Sequence, residues 1–152
     1  MIAPVRIGDV MTGTVVTAGR SATLADVATL MRDRNVGSVV ICEDGRPQAL
    51  ITDRDLALAI GADGAEPNAQ VDGHATRPLV TGDAEMDIEE AAALMVQHRV
   101  RRLPVLSDGE LSGIVTLDDL AVRVGDAKLA SQMTADVARA ALPDFFFHQR
   151  GG

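Results

Sequence analysis

The chain has 152 residues, a length that fits one ordinary domain or two very small ones and excludes a large multidomain enzyme. Apolar residues make up 47% of the sequence and charged residues 24%, a composition typical of a folded protein with a buried core. Fourteen basic and 22 acidic side chains leave a net charge of −8, which repels nucleic-acid phosphates and anionic membrane surfaces. We therefore expect neither a nucleic acid nor a membrane as a partner.

Aromatic residues are scarce, at 2% of the chain, and neither Trp nor Tyr is present. The core must therefore be aliphatic, and the aromatic platforms on which single-stranded bases stack are missing. Cys42 is the one cysteine, so no internal disulfide forms, and no cluster of Cys and His has the spacing of metal ligands. Since no apolar run is long enough for a membrane span and no signal-peptide core is present, we expect a cytoplasmic protein without a bound metal.

The sequence contains an internal repeat. A shift of 64 residues aligns residues 11–60 with residues 75–124 without a gap. Thirteen of these fifty pairs are identical, and most of the others exchange similar side chains. We therefore expect two related copies of one supersecondary unit.

Each copy begins with a short strand and an amphipathic helix. Apolar residues at 15–17, and at 79–81 in the second copy, predict the strand. In the first helix, apolar side chains recur at helical spacing from Leu24 to Met31, which places them on one face. The N-cap and N3 positions of the two helices are taken by Thr23 and Asp26 and by Asp87 and Glu90.

Each copy continues with a hairpin and a second helix. A continuous apolar run leads into an Asp-Gly dipeptide, which is a strong signal for a two-residue hairpin turn. The returning strand leads into a short helix that ends before a glycine, the residue favoured at C′. These segments lie at 39–42, 44–45 and 49–52, with a helix to Ile60 before Gly61, and at 103–106, 108–109 and 113–116, with a helix to Val124 before Gly125.

The pattern predicts an α/β fold of the α+β type, made of two pseudo-symmetric β-α-β-β-α units and a helical C-terminal tail. One three-stranded sheet cannot bury both of its faces alone, so we expect the two units to pack sheet to sheet. We place unit 1 at 1–61, a linker at 62–73 with one helical turn after Pro67, unit 2 at 74–125 and the tail at 126–152. The tail contains Phe145–Phe147, and three adjacent Phe side chains require cover from solvent.

A Thr-x-x-Asp motif stands where the last strand of each copy meets the second helix, from Thr52 to Asp55 and from Thr116 to Asp119. Two interpretations stay open. Thr at the N-cap with Asp at N3 forms a capping box, which has a purely structural role. A strand end that leads into a helix N-terminus also favours phosphates, and a carboxylate there accepts hydrogen bonds from two ribose hydroxyls.

Four features together resemble the cystathionine β-synthase (CBS) domain family: the paired units, the Asp-Gly hairpins, the segment from His98 to Val105 and both Thr-x-x-Asp motifs. The resemblance covers residues from Asp9 to Gly125, and two such domains in tandem look like a Bateman module. It implies a non-enzymatic regulatory module for energy sensing that binds an adenosine-containing ligand, whether AMP, ADP, ATP, NAD or S-adenosylmethionine. It also implies two ligand clefts between the copies, a homodimer and a regulated protein partner.

The resemblance further assigns residues to the two clefts. In the first cleft, Thr116 and Asp119 would bind the ribose, and Arg101 and Arg102 would bind the phosphates. The adenine would lie against Thr14, Val16, Val36 and Gly37. The second cleft would use the motif residues of the first copy, Thr52, Arg54 and Asp55. Across from them would lie Pro78, Val80, Val100 and Arg101. Because the copies differ at several of these positions, we expect the clefts to prefer different ligands.

The alternative to a ligand sensor is a dimeric interaction scaffold whose clefts stay empty. An enzyme is not expected, because the sequence holds no paired nucleophile and base, no metal cluster and no phosphate-binding loop. His98 adjoins the arginine-rich segment but has no catalytic partner nearby, so we expect a solvated residue at a helix end.

Overall fold

The structure, a computed structural model, describes residues 5–76 and 79–123. Pro78, Gly125 and the tail at 126–152 therefore lie outside the described residues. In chain order the elements are α1 (Ile7–Val10), β1 (Thr17–Gly19), α2 (Leu24–Arg34), β2 (Ser38–Glu43), β3 (Arg46–Thr52), α3 (Asp53–Gly61), a 3-10 helix (Val71–Gly73), β4 (Gly82–Asp83), α4 (Ile88–His98), β5 (Arg102–Ser107), β6 (Glu110–Thr116) and α5 (Leu117–Arg123).

The strands form two three-stranded sheets, in the order β1-β2-β3 and β4-β5-β6. β1 runs parallel to β2, β3 runs antiparallel to β2, and β4 runs parallel to β5. Parallel neighbours need a crossover connection, which α2 and α4 supply. Each copy is therefore a β-α-β-β-α unit, and the predicted fold class is confirmed.

The chain divides into two compact units that do not follow the sequence repeat at its edges. Of the described residues, those within Thr14–Leu79 and Asp108–Leu111 form the first-copy unit, and those within 5–13, 80–107 and 112–123 form the second-copy unit. The segment that precedes each copy in sequence thus belongs to the unit of the other copy.

These exchanged segments make equivalent contacts. Ile7 of α1 is fully buried in the second-copy unit, and its N–H donates to the Met86 carbonyl at 2.8 Å. Val71 of the 3-10 helix is fully buried in the first-copy unit, and its N–H donates to the Ala22 carbonyl at 2.9 Å. Neither α1 nor this exchange was predicted from the sequence, because a four-residue helix has too few positions to show a period.

The caps of the two long helices differ. In α2 the capping box is complete, since the Asp26 N–H donates to Thr23 Oγ1 and the Thr23 N–H donates to Asp26 Oδ2, both at 3.0 Å. In α4 only half of the predicted arrangement forms: the Glu90 N–H donates to Asp87 Oδ1 at 2.8 Å, with no return bond from the Glu90 carboxylate within the described residues. A return bond in α4 would bring the Glu90 carboxylate close to the Asp87 carboxylate, and like charges repel. In α2 the cap is the neutral Thr23 hydroxyl, so Asp26 meets no such repulsion.

The hairpins form as predicted, with Asp44 and Asp108 at a φ of 52° and the following glycines also at positive φ, the geometry of a type I′ turn. The first strands lie two to three residues later than predicted, at Thr17–Gly19 and Gly82–Asp83. The apolar residues before β1 lead into the ladder, because the Val16 carbonyl already accepts the Val40 N–H at 3.0 Å.

One prediction about the end of α3 was wrong. Gly61 is the last residue of α3 rather than its C′ residue, and the positive φ falls at Gly64. The helical turn expected in the linker after Pro67 forms at Val71–Gly73. Between Pro67 and this turn the chain is held by α2, because the Pro67 and Ala69 carbonyls accept N–H groups from its first turn at 2.9 Å.

Each unit has its own aliphatic core, as the composition requires. In the first-copy unit the core is built from α2, α3, β2, β3 and the 3-10 helix, and its members include Leu24, Val27, Val39, Ile41, Ile51 and Val71. In the second-copy unit it is built from α1, α4, α5, β5 and β6, and its members include Ile7, Ile88, Met95, Leu103, Val115, Leu117 and Leu120. In each unit the last strand of the sheet, β3 or β6, contributes to the core. A Thr-x-x-Asp motif begins at the last residue of each of these strands.

Candidate functional site

The second-copy motif forms a complete capping box where β6 meets α5. The Thr116 N–H donates to Asp119 Oδ2 at 2.9 Å, and the Asp119 N–H donates to Thr116 Oγ1 at 3.2 Å. Both side chains are half-buried. The next residue, Leu117, donates its N–H to the Arg101 carbonyl at 2.9 Å, which ties the start of α5 to the residue just before β5.

This tie brings the predicted phosphate-binding residues to the motif. A pocket of about 270 Å³ is lined by Arg101, Arg102, Thr116, Leu117 and Asp118. Arg101 is exposed and Arg102 is half-buried, and neither makes an ion pair within residues 5–76 and 79–123. Two guanidinium groups without ion-pair partners in the described part of the chain, beside the Thr116 hydroxyl and the Asp118 carboxylate, can bind a phosphorylated sugar.

The first-copy motif has the same backbone geometry. The Thr52 N–H donates to Asp55 Oδ2 at 2.8 Å, and the Asp55 N–H donates to Thr52 Oγ1 at 3.2 Å. The Asp53 N–H donates to the Gly37 carbonyl at 3.0 Å, as Leu117 does to Arg101. One contact is added, because the Thr76 hydroxyl donates to Asp55 Oδ2 at 3.4 Å.

The capping interpretation of both motifs is therefore confirmed, and it leaves room for the other interpretation. In each box the cap uses Oδ2 of the aspartate. Oδ1 accepts no hydrogen bond from any described residue, so each half-buried carboxylate keeps an acceptor oxygen for a ligand hydroxyl. A single side chain can thus cap the helix and bind a ligand.

The remaining predicted residues divide between the two units. Thr14, Val16, Val36, Gly37 and Arg54 lie in the first-copy unit, where Thr14 and Arg54 are exposed and Val36 packs against the core. Val80 and Val100 lie in the second-copy unit and pack against its core. The pairing of each motif with residues of the other copy stays a prediction.

A cluster of charged side chains in the first-copy unit was not predicted from the sequence. Arg20 Nη2 and Nε bind both carboxylate oxygens of Asp72, at 2.9 and 3.2 Å, and Arg20 Nη1 binds Glu43 Oε2 at 2.9 Å. The hydrogen bonds to Asp72, and to a smaller extent the bond to Glu43, hold the pKa of Arg20 above its ordinary value. The cluster lines a pocket of about 400 Å³ together with Ser21 and Gln70.

Other kinds of site find no support among the described residues. No group of three or more His, Cys, Asp and Glu side chains in that part of the chain is arranged to hold a metal ion. Burial raises the pKa of the Cys42 thiol, which disfavours the reactive thiolate. His98 is exposed at the end of α4, as expected. Within the described ranges, each helix is too short or too polar to cross a bilayer.

Known proteins share this repeat. The sequence matches the CBS domain family over residues 7–62 and again over residues 70–126. CBS domain-containing protein YhcV of Bacillus subtilis is 40% identical over 116 residues, which is 76% of this chain and 83% of that protein. Hypoxic response protein 1 of Mycobacterium tuberculosis is 37% identical over 115 residues, which is 74% of this chain and 80% of that protein.

Solved structures agree. A crystal structure of Hypoxic Response Protein I with two coordinated zinc ions superposes with a TM-score of 0.70 and 36% identity over 78% of this chain and 98% of that one. The CBS domain pair of protein MJ0100, in complex with 5′-methylthioadenosine and S-adenosyl-L-methionine, superposes with a TM-score of 0.72 and 21% identity over 81% of this chain and 98% of that one. The chain therefore belongs to the CBS domain family and carries two copies of the domain in tandem.

Proposed function

We propose that the chain is a non-enzymatic regulatory module of the cytoplasm that binds an adenosine-containing ligand at its strand–helix junctions. The observation that carries this proposal is the second-copy pocket. Arg101 and Arg102 line it with Thr116 of the capping box, and neither arginine has an ion-pair partner among the described residues. The Asp119 carboxylate of the same box keeps one oxygen without a hydrogen bond from any described residue. An acceptor for sugar hydroxyls next to two donors for phosphate matches the chemistry of a nucleotide.

Each of these residues has a separate role in the proposal. Asp119 Oδ1 accepts hydrogen bonds from the ribose hydroxyls, while Thr116 and Asp119 Oδ2 keep the helix start in place. Arg101 and Arg102 bind phosphate oxygens, and each charge-assisted hydrogen bond contributes about 1.5–3 kcal/mol. The adenine lies against apolar side chains and backbone of the other copy, which we assign to Thr14, Val16, Val36 and Gly37.

The first-copy motif supplies a second, related site. Thr52 and Asp55 repeat the capping box with one carboxylate oxygen available, and Arg54 lies inside the motif. Pro78, Val80, Val100 and Arg101 complete this site in the proposal. The complex of the MJ0100 pair with two adenosyl compounds supports an adenosyl ligand for this fold.

With an adenylate as its ligand, the module acts as a sensor of the cellular energy state. AMP, ADP and ATP share adenine and ribose and differ only in the phosphate chain, so one pocket binds them in competition. The occupancy of such a pocket reports the cellular energy state to a regulated partner or across a homodimer.

A thermal-shift screen of the full chain tests the proposal. AMP, ADP, ATP, NAD and S-adenosylmethionine are the ligands, and GMP and inorganic phosphate are the matched controls for the base and for the phosphate. A ligand present at 100 times its Kd stabilises the folded state by about 2.7 kcal/mol, which raises Tm by several degrees.

The screen also separates the proposal from its alternative, a dimeric scaffold that binds no ligand. A rise in Tm with at least one adenosyl compound, and none with GMP or phosphate, supports the ligand sensor. An unchanged Tm with all five adenosyl compounds contradicts it and favours the scaffold.

A further inference from the structure

The two copies place different side chains at equivalent positions of the strand–helix junction. The repeat aligns Arg101 and Arg102 with Gly37 and Ser38, Leu117 with Asp53, and Asp118 with Arg54. The same backbone hydrogen bond forms at both junctions. The Leu117 N–H donates to the Arg101 carbonyl at 2.9 Å, and the Asp53 N–H donates to the Gly37 carbonyl at 3.0 Å. The copies therefore differ in charge rather than in shape of the main chain.

The second-copy junction is suited to an anion. Leu117 turns inward and is 1% exposed, so it joins the core and leaves the pocket wall to its neighbours. Arg101, Arg102 and the exposed Asp118 line that wall, so two guanidinium groups stand against one carboxylate, and no described carboxylate forms an ion pair with either arginine. An unpaired guanidinium is the side chain that proteins use most often to bind phosphate oxygens through two hydrogen bonds.

The first-copy junction also carries carboxylates in the first turn of its helix, but it lacks the adjacent arginine pair. Asp53 is exposed, and its Oδ1 accepts the Arg54 N–H at 2.8 Å, which holds the carboxylate against the first turn of α3. A ligand phosphate near this turn meets a fixed negative charge. Of the two arginines, the proposed function gives this site only Arg101, and Gly37 and Ser38 add no positive charge. Repulsion of a wrong ligand by a like charge is a common way to obtain specificity.

We propose that the two junctions sort adenosine-containing ligands by charge, so that the second-copy junction takes a phosphorylated ligand and the first-copy junction takes an uncharged or cationic one. This inference rests on the proposed function and adds the ligand class of each site. Asp53 is the specificity residue of the first copy, and the arginine pair is that of the second. The exposed Arg54 does not reverse this, because the carboxylates of Asp53 and Asp55 both adjoin it in the sequence.

Isothermal titration of the full chain with adenosine and with AMP tests the sorting. We expect two adenosine molecules per chain but only one tightly bound AMP. Arg102→Ala weakens AMP binding about tenfold or more, yet changes adenosine binding by less than about twofold. Asp53→Asn retains an oxygen acceptor for the Arg54 N–H but removes the charge, so a second AMP binds.

Asp44→Asn is the matched control for the charge change. Asp44 is exposed in the hairpin turn, at a positive φ that Asn also adopts, so AMP stoichiometry stays at one per chain in this variant. Wild-type binding of two AMP molecules with equal affinity, unaltered by Asp53→Asn, overturns the sorting and leaves the proposed function intact. If the wild-type chain binds neither adenosine nor AMP nor any other adenosyl compound, the proposed function fails and the sorting fails with it.

Discussion

At the scale of single residues, Asp119 and Asp55 each cap a helix through Oδ2, and the proposed function gives the other oxygen, Oδ1, to a ligand. The capping bond to Oδ2 belongs to the fold, because it joins two groups of the chain itself. The proposed ligand bond goes to Oδ1, where negative charge strengthens a hydrogen bond from a hydroxyl. A change that removes the charge and keeps the acceptor oxygen therefore separates the cap from the proposed ligand bond.

The first prediction is that Asp119→Asn keeps the fold and loses affinity. The amide oxygen of Asn still accepts the Thr116 N–H, so the free energy of unfolding changes by less than about 1 kcal/mol. We expect AMP binding to weaken about tenfold to a hundredfold, as measured by titration calorimetry beside a thermal melt. Asp55→Asn is the matched variant for the first-copy site. Equal AMP affinity in Asp119→Asn and wild type would show that Asp119 is only a cap.

The second prediction concerns acid stability and Asp26. The Thr23 backbone N–H, and then its hydroxyl, lower the pKa of Asp26 below its ordinary value of 3.8. A carboxyl whose pKa is lower in the folded state adds stability above its unfolded pKa, and this stability disappears as the pH falls through the folded pKa. Wild type should therefore exceed Asp26→Asn in urea midpoint at neutral pH, and the difference should vanish in acid. A difference that persists unchanged in strong acid refutes the assignment.

The candidate site was predictable in part, for a reason that the residues make plain. Thr116, Asp119, Arg101 and Arg102 belong to two short motifs that are visible in the sequence, and one backbone bond joins them in space. The partners of Arg20 lie 23 and 52 residues away, so no local pattern shows that cluster.

At the scale of elements, local signals predicted the helices and hairpins well. The Asp-Gly dipeptides require a particular turn, and the period of α2 requires one buried face, so neighbouring residues suffice to predict both. The exchange of α1 and the 3-10 helix between copies was not predictable in this way. It depends on where Ile7 and Val71 become buried, which is a long-range property.

The third prediction tests how tightly the exchanged N-terminal segment is packed. Thr12 and Ile114 exchange two backbone hydrogen bonds, at 2.9 and 3.0 Å, which lays this segment along β6. A methyl group at Gly113 would overlap the Met11 sulfur and the Thr12 carbonyl oxygen. Gly113→Ala should therefore lower the free energy of unfolding by about 1–3 kcal/mol in urea denaturation.

A compensating change serves as the control for this overlap. The repeat aligns Gly113 with Ala49 and Met11 with Ala75, so the first copy accepts a methyl group where its neighbour is small. The double variant Met11→Ala, Gly113→Ala should recover part of the stability lost in Gly113→Ala. Additive losses in the double variant are evidence against this packing.

At the scale of the whole molecule, several apolar side chains on the second helices and on α4 remain exposed. Leu58 and Ile60 of α3 are 47% and 44% exposed, Val96 of α4 is 39% exposed, and Val122 of α5 is 78% exposed. Exposed apolar side chains that form a contiguous patch mark a site of protein–protein interaction.

The fourth prediction is therefore a homodimer built on the repeat helices. Light scattering of the full chain at micromolar concentration should give twice the mass of one chain, and Leu58→Glu together with Val122→Glu should shift it toward the monomer. A single monomeric species for the wild type contradicts the prediction. The packing of Phe145–Phe147 on the module or across the dimer falls outside the described residues and stays a prediction.

The central claim is that ligand binding occurs at the junction of β6 and α5, and backbone amide NMR of the labelled full chain tests it most directly. Titration with AMP should shift the amide signals of Arg101, Arg102 and Thr116–Asp119 most, and the same titration of Asp119→Asn should need a higher AMP concentration. Largest shifts around the Arg20, Glu43 and Asp72 pocket instead, or no shifts at saturating AMP, would contradict the claim.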